Sequence, residues 1–198
     1  GQAPTGDFAY DFDTIAHEFT HSINRAIAAF AYFGADQMGM LAFPGGLDEG
    51  LADTFAVSLT NDPDMGEYIF GRNLVNDRVC PDDIMGEVHY DGEIVGGAHW
   101  DIHEIVGGDA LEHLAFGALS TSTTTSSYAD FAAGLMAAAE AMETDGDLTS
   151  TQLDEIQTVL DDRGMTVCNR FIALDDGLSY SLSGIDRKST RLNSSHYS

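Results

Sequence analysis

Residues 13–34 read Asp13-Thr14-Ile15-Ala16-His17-Glu18-Phe19-Thr20-His21-Ser22-Ile23-Asn24-Arg25-Ala26-Ile27-Ala28-Ala29-Phe30-Ala31-Tyr32-Phe33-Gly34. Apolar residues recur at Ile15, Phe19, Ile23, Ile27 and Phe30, the three- and four-residue spacing of one helix face. Asp13 reads as the N-cap of this helix and Gly34 as its stop. Within it, His17-Glu18-Phe19-Thr20-His21 is an HExxH sequence. Imidazoles at i and i+4 stack on one face about one turn apart, which suits two ligands of a tetrahedral Zn²⁺. Glu18, one residue round the helix, falls beside such a metal, where its carboxylate can take a proton from water. The same five residues also arise by chance as a polar helix face, so the motif needs a partner.

The partner lies in Gly45-Gly46-Leu47-Asp48-Glu49-Gly50-Leu51-Ala52-Asp53-Thr54-Phe55, on a second predicted helix from about Leu47 to Leu59, before the break at Asn61-Asp62-Pro63. Glu49 can complete a His₂Glu site that leaves the fourth position to water. Asp53, one turn on, can accept the remaining ring N–H of a ligand histidine. The competing reading of both carboxylates is a solvated acidic face.

Beyond this point, residues 64–92 read as irregular and turn-rich. A third helix is expected from near Gly92 to Gly107-Gly108, and a short one over Ala110–Leu119. The Ser/Thr run 120–127 reads as a loop whose last residue, Ser127, caps a helix over Tyr128–Met142. A further helix is expected over Ser150–Arg163. With no clear alternating strand and no internal repeat, the expected class is mainly α.

Three blocks in order carry a family resemblance: the HExxH at 17–21, the Gly-Gly-x-x-Glu-Gly-x-x-Asp-x-Phe block at 45–55, and Gly86-Glu87-Val88-His89 followed by Gly96-Gly97-Ala98-His99-Trp100-Asp101. Together they resemble the gluzincin (thermolysin-related) metallopeptidases, on the fungalysin side, over roughly residues 7–175. The resemblance implies the helical, zinc-binding C-terminal half of a two-lobed enzyme that hydrolyses peptide bonds. It also implies roles: His17, His21 and Glu49 bind Zn²⁺, Glu18 is the general base, Asp53 supports His17, and His89 hydrogen-bonds the tetrahedral oxyanion. Such a donor typically contributes about 2.7–4 kcal/mol. Two positions depart from the family pattern. His99 stands before Trp100 where relatives commonly carry Leu, and no tyrosine stands just before Glu49 to add to the oxyanion site.

On this reading residues 1–185 are a catalytic-domain fragment without its N-terminal β part. The chain begins Gly1-Gln2-Ala3-Pro4-Thr5-Gly6, without Met or the features of a signal peptide. Residues 186–198 are expected to be an extraneous tail, because Asp186-Arg187-Lys188-Ser189-Thr190-Arg191-Leu192-Asn193-Ser194-Ser195-His196 resembles a translated sequencing adapter. Expected partners are a peptide or protein substrate and the missing N-terminal lobe or propeptide.

The formal net charge is −25. Setting the tail aside removes Asp186 against Arg187, Lys188 and Arg191, leaving −27 and no lysine. Phosphates would be repelled, which argues against nucleic-acid and anionic-membrane partners. Two explanations of the acidity stay open, a surface suited to high salt and a secreted protein that also binds Ca²⁺. The segment Glu143-Thr144-Asp145-Gly146-Asp147-Leu148 does not supply the Ca²⁺ site. Registering Gly146 as an EF-hand glycine places Ala141 and Gln152 where carboxylates are needed, so a capped turn is expected instead.

Cys80 and Cys168 are the only cysteines, 88 residues apart, and form no CxxC. A disulfide between them suits a secreted peptidase, and two buried thiols are the other reading. His99 and His103 are also four apart, but a solvated helix face explains them more simply than a second metal site. Outside the peptidase class, the sequence fits a non-catalytic binding module that keeps the fold, or a zinc hydrolase with a non-peptide substrate. Retention of Glu18 weighs against the former.

Overall fold

The computed structural model describes residues 11–31, 43–66 and 71–168, together with the backbone of four short strands at 34–36, 39–41, 171–173 and 179–181. The expected tail at 186–198 lies outside the described residues. The fold is mainly helical: α1 (Phe12–Ile27), α2 (Phe43–Thr60), α3 (Val88–Val106), α4 (Gly108–Thr121), α5 (Tyr128–Asp145) and α6 (Ser150–Asp162). Three two-stranded antiparallel hairpins join them: β1 (Gly34–Asp36) with β2 (Gly39–Leu41), β3 (Asp64–Met65) with β4 (Arg72–Asn73), and β5 (Phe171–Ala173) with β6 (Ser179–Ser181). These ribbons were not read from the sequence, which showed no clear alternating strand. At two or three residues each they are too short to show alternation in the sequence.

Helix α2 is the central element, buried nearly all round from Phe43 to Ser58 and packed against both α1 and α3. A helix without a polar face belongs inside a bundle. It begins four residues before the expected Leu47, because Pro44 is tolerated in a first turn. The backbones of α2 and α3 meet where Gly50 faces Gly92. A Cβ on Gly50 would stand 2.6 Å from Val95 Cβ and 2.7 Å from the Gly92 carbonyl oxygen, and one on Gly92 would stand 2.9 Å from Glu49 Cβ. Only hydrogen at both positions permits this approach, and it brings the N-terminus of α3 to Glu49.

Helix α1 forms where expected but differs at its ends and in its orientation. Asp11, not Asp13, is the N-cap, its carboxylate accepting the Thr14 N–H at 3.3 Å, and the helix ends at Ile27 rather than at Gly34. Its buried residues are Asp13, Thr14, His17, Thr20 and Asn24, whereas Phe12, Ile15, Phe19 and Ile27 are exposed. Ile15, Phe19 and Ile27 of the apolar stripe therefore face outward while Ile23 packs on the core, and the polar face packs on α2.

Helix α3 starts at Val88, four residues before the expected Gly92, with Glu87 as N-cap accepting the Tyr90 N–H at 3.1 Å. The cap expected at Ser127 is present. Ser127 and Asp130 form a capping box at α5, and Gly146 ends that helix at φ 87°. Thr149 and Gln152 form a second capping box at α6.

Past α6, Arg163 is 7% exposed and acts as a latch. Its guanidinium donates to Asp101 Oδ2 at 2.5 and 2.9 Å, to the Asn76 carbonyl at 2.6 Å and to the Arg78 carbonyl at 3.1 Å, so the 74–79 loop, α3 and α6 share one ion. The Cys80 N–H donates to the Arg163 carbonyl at 2.9 Å, and Cys80 is disulfide-bonded to Cys168 with Cα atoms 5.9 Å apart. No described helix is long and apolar enough to cross a membrane.

Candidate metal centre

The one-turn spacing of His17 and His21 on α1 puts their Nε2 atoms 3.0 Å apart. Packing of α1 on α2 brings Glu49 to them, with Oε2 at 3.4 Å from His17 Nε2 and Oε1 at 3.7 Å from His21 Nε2. One ligand atom from each of the three residues lies within 4.8 Å of the others. In a tetrahedral site with bonds of about 2.0–2.2 Å, ligand atoms stand about 3.3–3.6 Å apart, so the observed separations bracket that distance and the group could hold a metal ion.

Each imidazole is turned by a carboxylate at its other nitrogen. His17 Nδ1 is 2.8 Å from Asp53 Oδ1, and His21 Nδ1 is 3.2 Å from Asp48 Oδ1. At His17 the Asp53 carboxylate accepts the Nδ1–H, the tautomer that leaves the Nε2 lone pair for a metal. Burial pulls the His17 pKa down, but hydrogen bonds and charge from Asp53 and Glu49 outweigh it and raise the value to about 9. His21 is also raised, the Asp48 carboxylate overcoming burial and the repulsion of His17. Glu49 and Asp53 are 2% and 1% exposed, so the solvated-face reading of these two carboxylates is corrected.

His89 lies in the first turn of α3, with Nε2 3.4 Å from Glu49 Oε1 and Nδ1 2.7 Å from Glu87 Oε1. A cavity of about 550 Å³ opens over this group, lined by His17, Glu18, Arg72, Glu87, His89 and Tyr90 among others. Glu18 is exposed to it, beside the ligand group and outside it.

Three residues of the site were given no role by the sequence, although Glu87 and Asp48 lie inside the quoted blocks. Arg72 is brought in by the β3–β4 hairpin and donates from Nη2 to Asp53 Oδ1 at 2.5 Å. Glu87 both caps α3 and holds His89. Asp48 adjoins a ligand, which was its only available hint.

The other histidine pair is not a solvated face. His99 is fully buried and His103 is 7% exposed and stacked on Trp100, with ring centroids 4.5 Å apart. Thr54 spends its hydroxyl proton on the Gly50 carbonyl at 2.6 Å, so His99 Nδ1, 2.7 Å away, must be the donor. Burial lowers the His99 pKa to about 4, keeping the ring neutral. Among the described residues the metal-type cluster is His17, His21 and Glu49, and it does not involve this pair.

No protein-family model matches the chain, and no curated protein is similar to it. Function is therefore argued from the residues and their geometry.

Proposed function

We propose that this chain is the helical, zinc-binding half of a secreted gluzincin-type endopeptidase of the fungalysin kind. The observation that carries the proposal is the convergence of His17, His21 and Glu49 at metal-ligand spacing in the wall of a cavity that also exposes Glu18 and His89. A zinc ion held there would supply Lewis-acid polarisation of water and of the scissile carbonyl.

The chain's own groups account for the proton and charge movements. Glu18 takes a proton from the attacking water and later delivers it to the leaving amine. His89 faces the same space through Nε2. Glu87 Oε1, 2.7 Å from Nδ1, holds the ring in that orientation, where a donor would stabilise the developing oxyanion. Asp53 and Asp48 keep the ligand rings in register.

Two further features support the larger reading. The outward stripe of Phe12, Ile15, Phe19 and Ile27 is the kind of surface a second lobe would cover. The Cys80–Cys168 bridge suits an extracellular setting. Hydrolysis of denatured casein by zinc-reconstituted protein, lost on chelation and restored by Zn²⁺, is the expected behaviour. Stoichiometric zinc with no cleavage of any protein or peptide would favour a binding module instead.

A further inference from the structure

Two cavities meet the candidate metal group. The first has His17 in its wall, and the second, of about 470 Å³, has His21, together with Arg25, Ala29, Phe30 and Asp48. Arg25 continues the His17–His21 row by one more turn, about 6 Å along α1. In a chain with 33 acidic residues against 8 lysines and arginines, cations are expected to be paired. Arg72 pairs with Asp53, Arg78 with Glu93 and Arg163 with Asp101. Among the described residues, Arg25 is the arginine with no carboxylate at ion-pair distance. Asp48 shares its cavity, but its carboxylate is turned to His21 Nδ1 at 3.2 Å and to Asn24 Nδ2 at 2.8 Å.

A cation in the last turn of a helix is favoured by the helix dipole, which accounts for an arginine at this position. Arg25 is exposed in a cavity walled by a candidate metal ligand and has no ion-pair partner there among the described residues, so it is available to an anionic ligand. We propose that Arg25 binds a carboxylate of the peptide substrate about two residues from the scissile bond. This rests on the peptidase reading above. The distance follows from the chain's advance of about 3.3–3.6 Å per extended residue against the one-turn offset of Arg25 from His21. The first cavity carries Glu18, Glu87 and Glu93, and its one arginine, Arg72, is already paired with Asp53, so the preference is expected on the Arg25 side of the bond. The net negative charge opposes anionic ligands at long range, but salt at about 0.15 M screens charges beyond about 8 Å and leaves direct contact with Arg25 in control.

The test separates recognition from hydrolysis by using zinc-loaded Glu18→Gln protein. Calorimetry compares blocked alanine-based peptides bearing one Glu, moved along the chain, with their Gln isosteres, and with peptides whose single carboxylate is the free C-terminus. Binding about tenfold tighter for Glu than Gln at one position is expected. Adding Arg25→Ala should abolish the preference, Arg25→Lys should keep part of it and Arg25→Glu should reverse it. Tighter binding of the free terminus would assign the site to a chain end, and tighter binding of the side chain to an internal acidic residue. Equal binding of Glu and Gln peptides at every position, or a preference that survives Arg25→Ala, overturns the proposal. Cleavage of the Gln peptide by the wild type judges the peptidase reading separately. If cleavage is absent while the Arg25-dependent preference remains, hydrolysis is refuted and the carboxylate site stands.

Discussion

His17 on α1 and Asp53 on α2 are joined by a hydrogen bond of 2.8 Å between Nδ1 and Oδ1, and the same Asp53 oxygen receives Arg72 Nη2 at 2.5 Å. A candidate metal ligand is thereby oriented by a carboxylate that is itself held by a hairpin arginine. Asp53 is 1% exposed, so its charge is balanced by these partners and not by water.

Replacing Asp53 by Asn removes the charge and leaves a group of the same size. Zinc affinity should fall by roughly 10–100-fold, the usual loss when the carboxylate behind a ligand histidine is removed. Titration of the metal-free protein with Zn²⁺ against a competing chelator measures it. Unchanged affinity would mean that Asp53 serves α1–α2 packing alone.

Gly50→Ala places a methyl group 2.6 Å from Val95 Cβ and 2.7 Å from the Gly92 carbonyl. Neither neighbour is the flexible end of a side chain, so α2 and α3 must separate. A loss of about 1–3 kcal/mol is expected in urea denaturation. Because Glu49 precedes this glycine and His89 lies across the crossing, zinc content should fall as well. A variant as stable as the wild type would contradict the close contact.

His99 titrates near pH 4 in the folded protein and near 6.5 when unfolded. Its folded pKa is depressed, so the unfolded state binds the extra proton. The stability it contributes is therefore complete above pH 6.5 and lost as the pH falls toward 4, by roughly 3 kcal/mol over that window. His99→Leu removes this term, while Thr54 keeps its bond to the Gly50 carbonyl. Urea midpoints at pH 7 and pH 4.5 should diverge less for the variant than for the wild type. Equal divergence would show that His99 is not the acid-sensitive group.

How much of this was legible in the sequence depended on whether a feature is local. Helix periodicity and the Ser127 cap involve residues a few positions apart and stand as expected, while the helix expected to end at Met142 runs on to Asp145. The grouping of the i, i+4 histidines with Glu49 was expected from residue types and spacing, and the structure brings the three side chains together. The direction of α1 was not. Ile15 and Phe19 mark a helix face, but which face is buried depends on what packs there, and α2 receives the polar one. His99 and His103 have helix-surface spacing, yet α3 is enclosed by α2 and by α4, so both rings are buried. Arg72 and Asp48 enter the site through tertiary packing that no spacing encodes, whereas Glu87 reaches His89 locally, as the N-cap two residues before it.

The measurement that bears most directly on the whole account is zinc content and peptide hydrolysis determined together on three substitutions in the zinc-reconstituted protein. Glu18→Gln should retain about one zinc per chain by atomic absorption and lose hydrolysis, because Glu18 lies outside the ligand group. Glu49→Ala should lose both, and His89→Ala should keep zinc while kcat falls by roughly 10²–10³. An actively hydrolysing Glu18→Gln protein, or a wild type that takes up no zinc, would contradict the account.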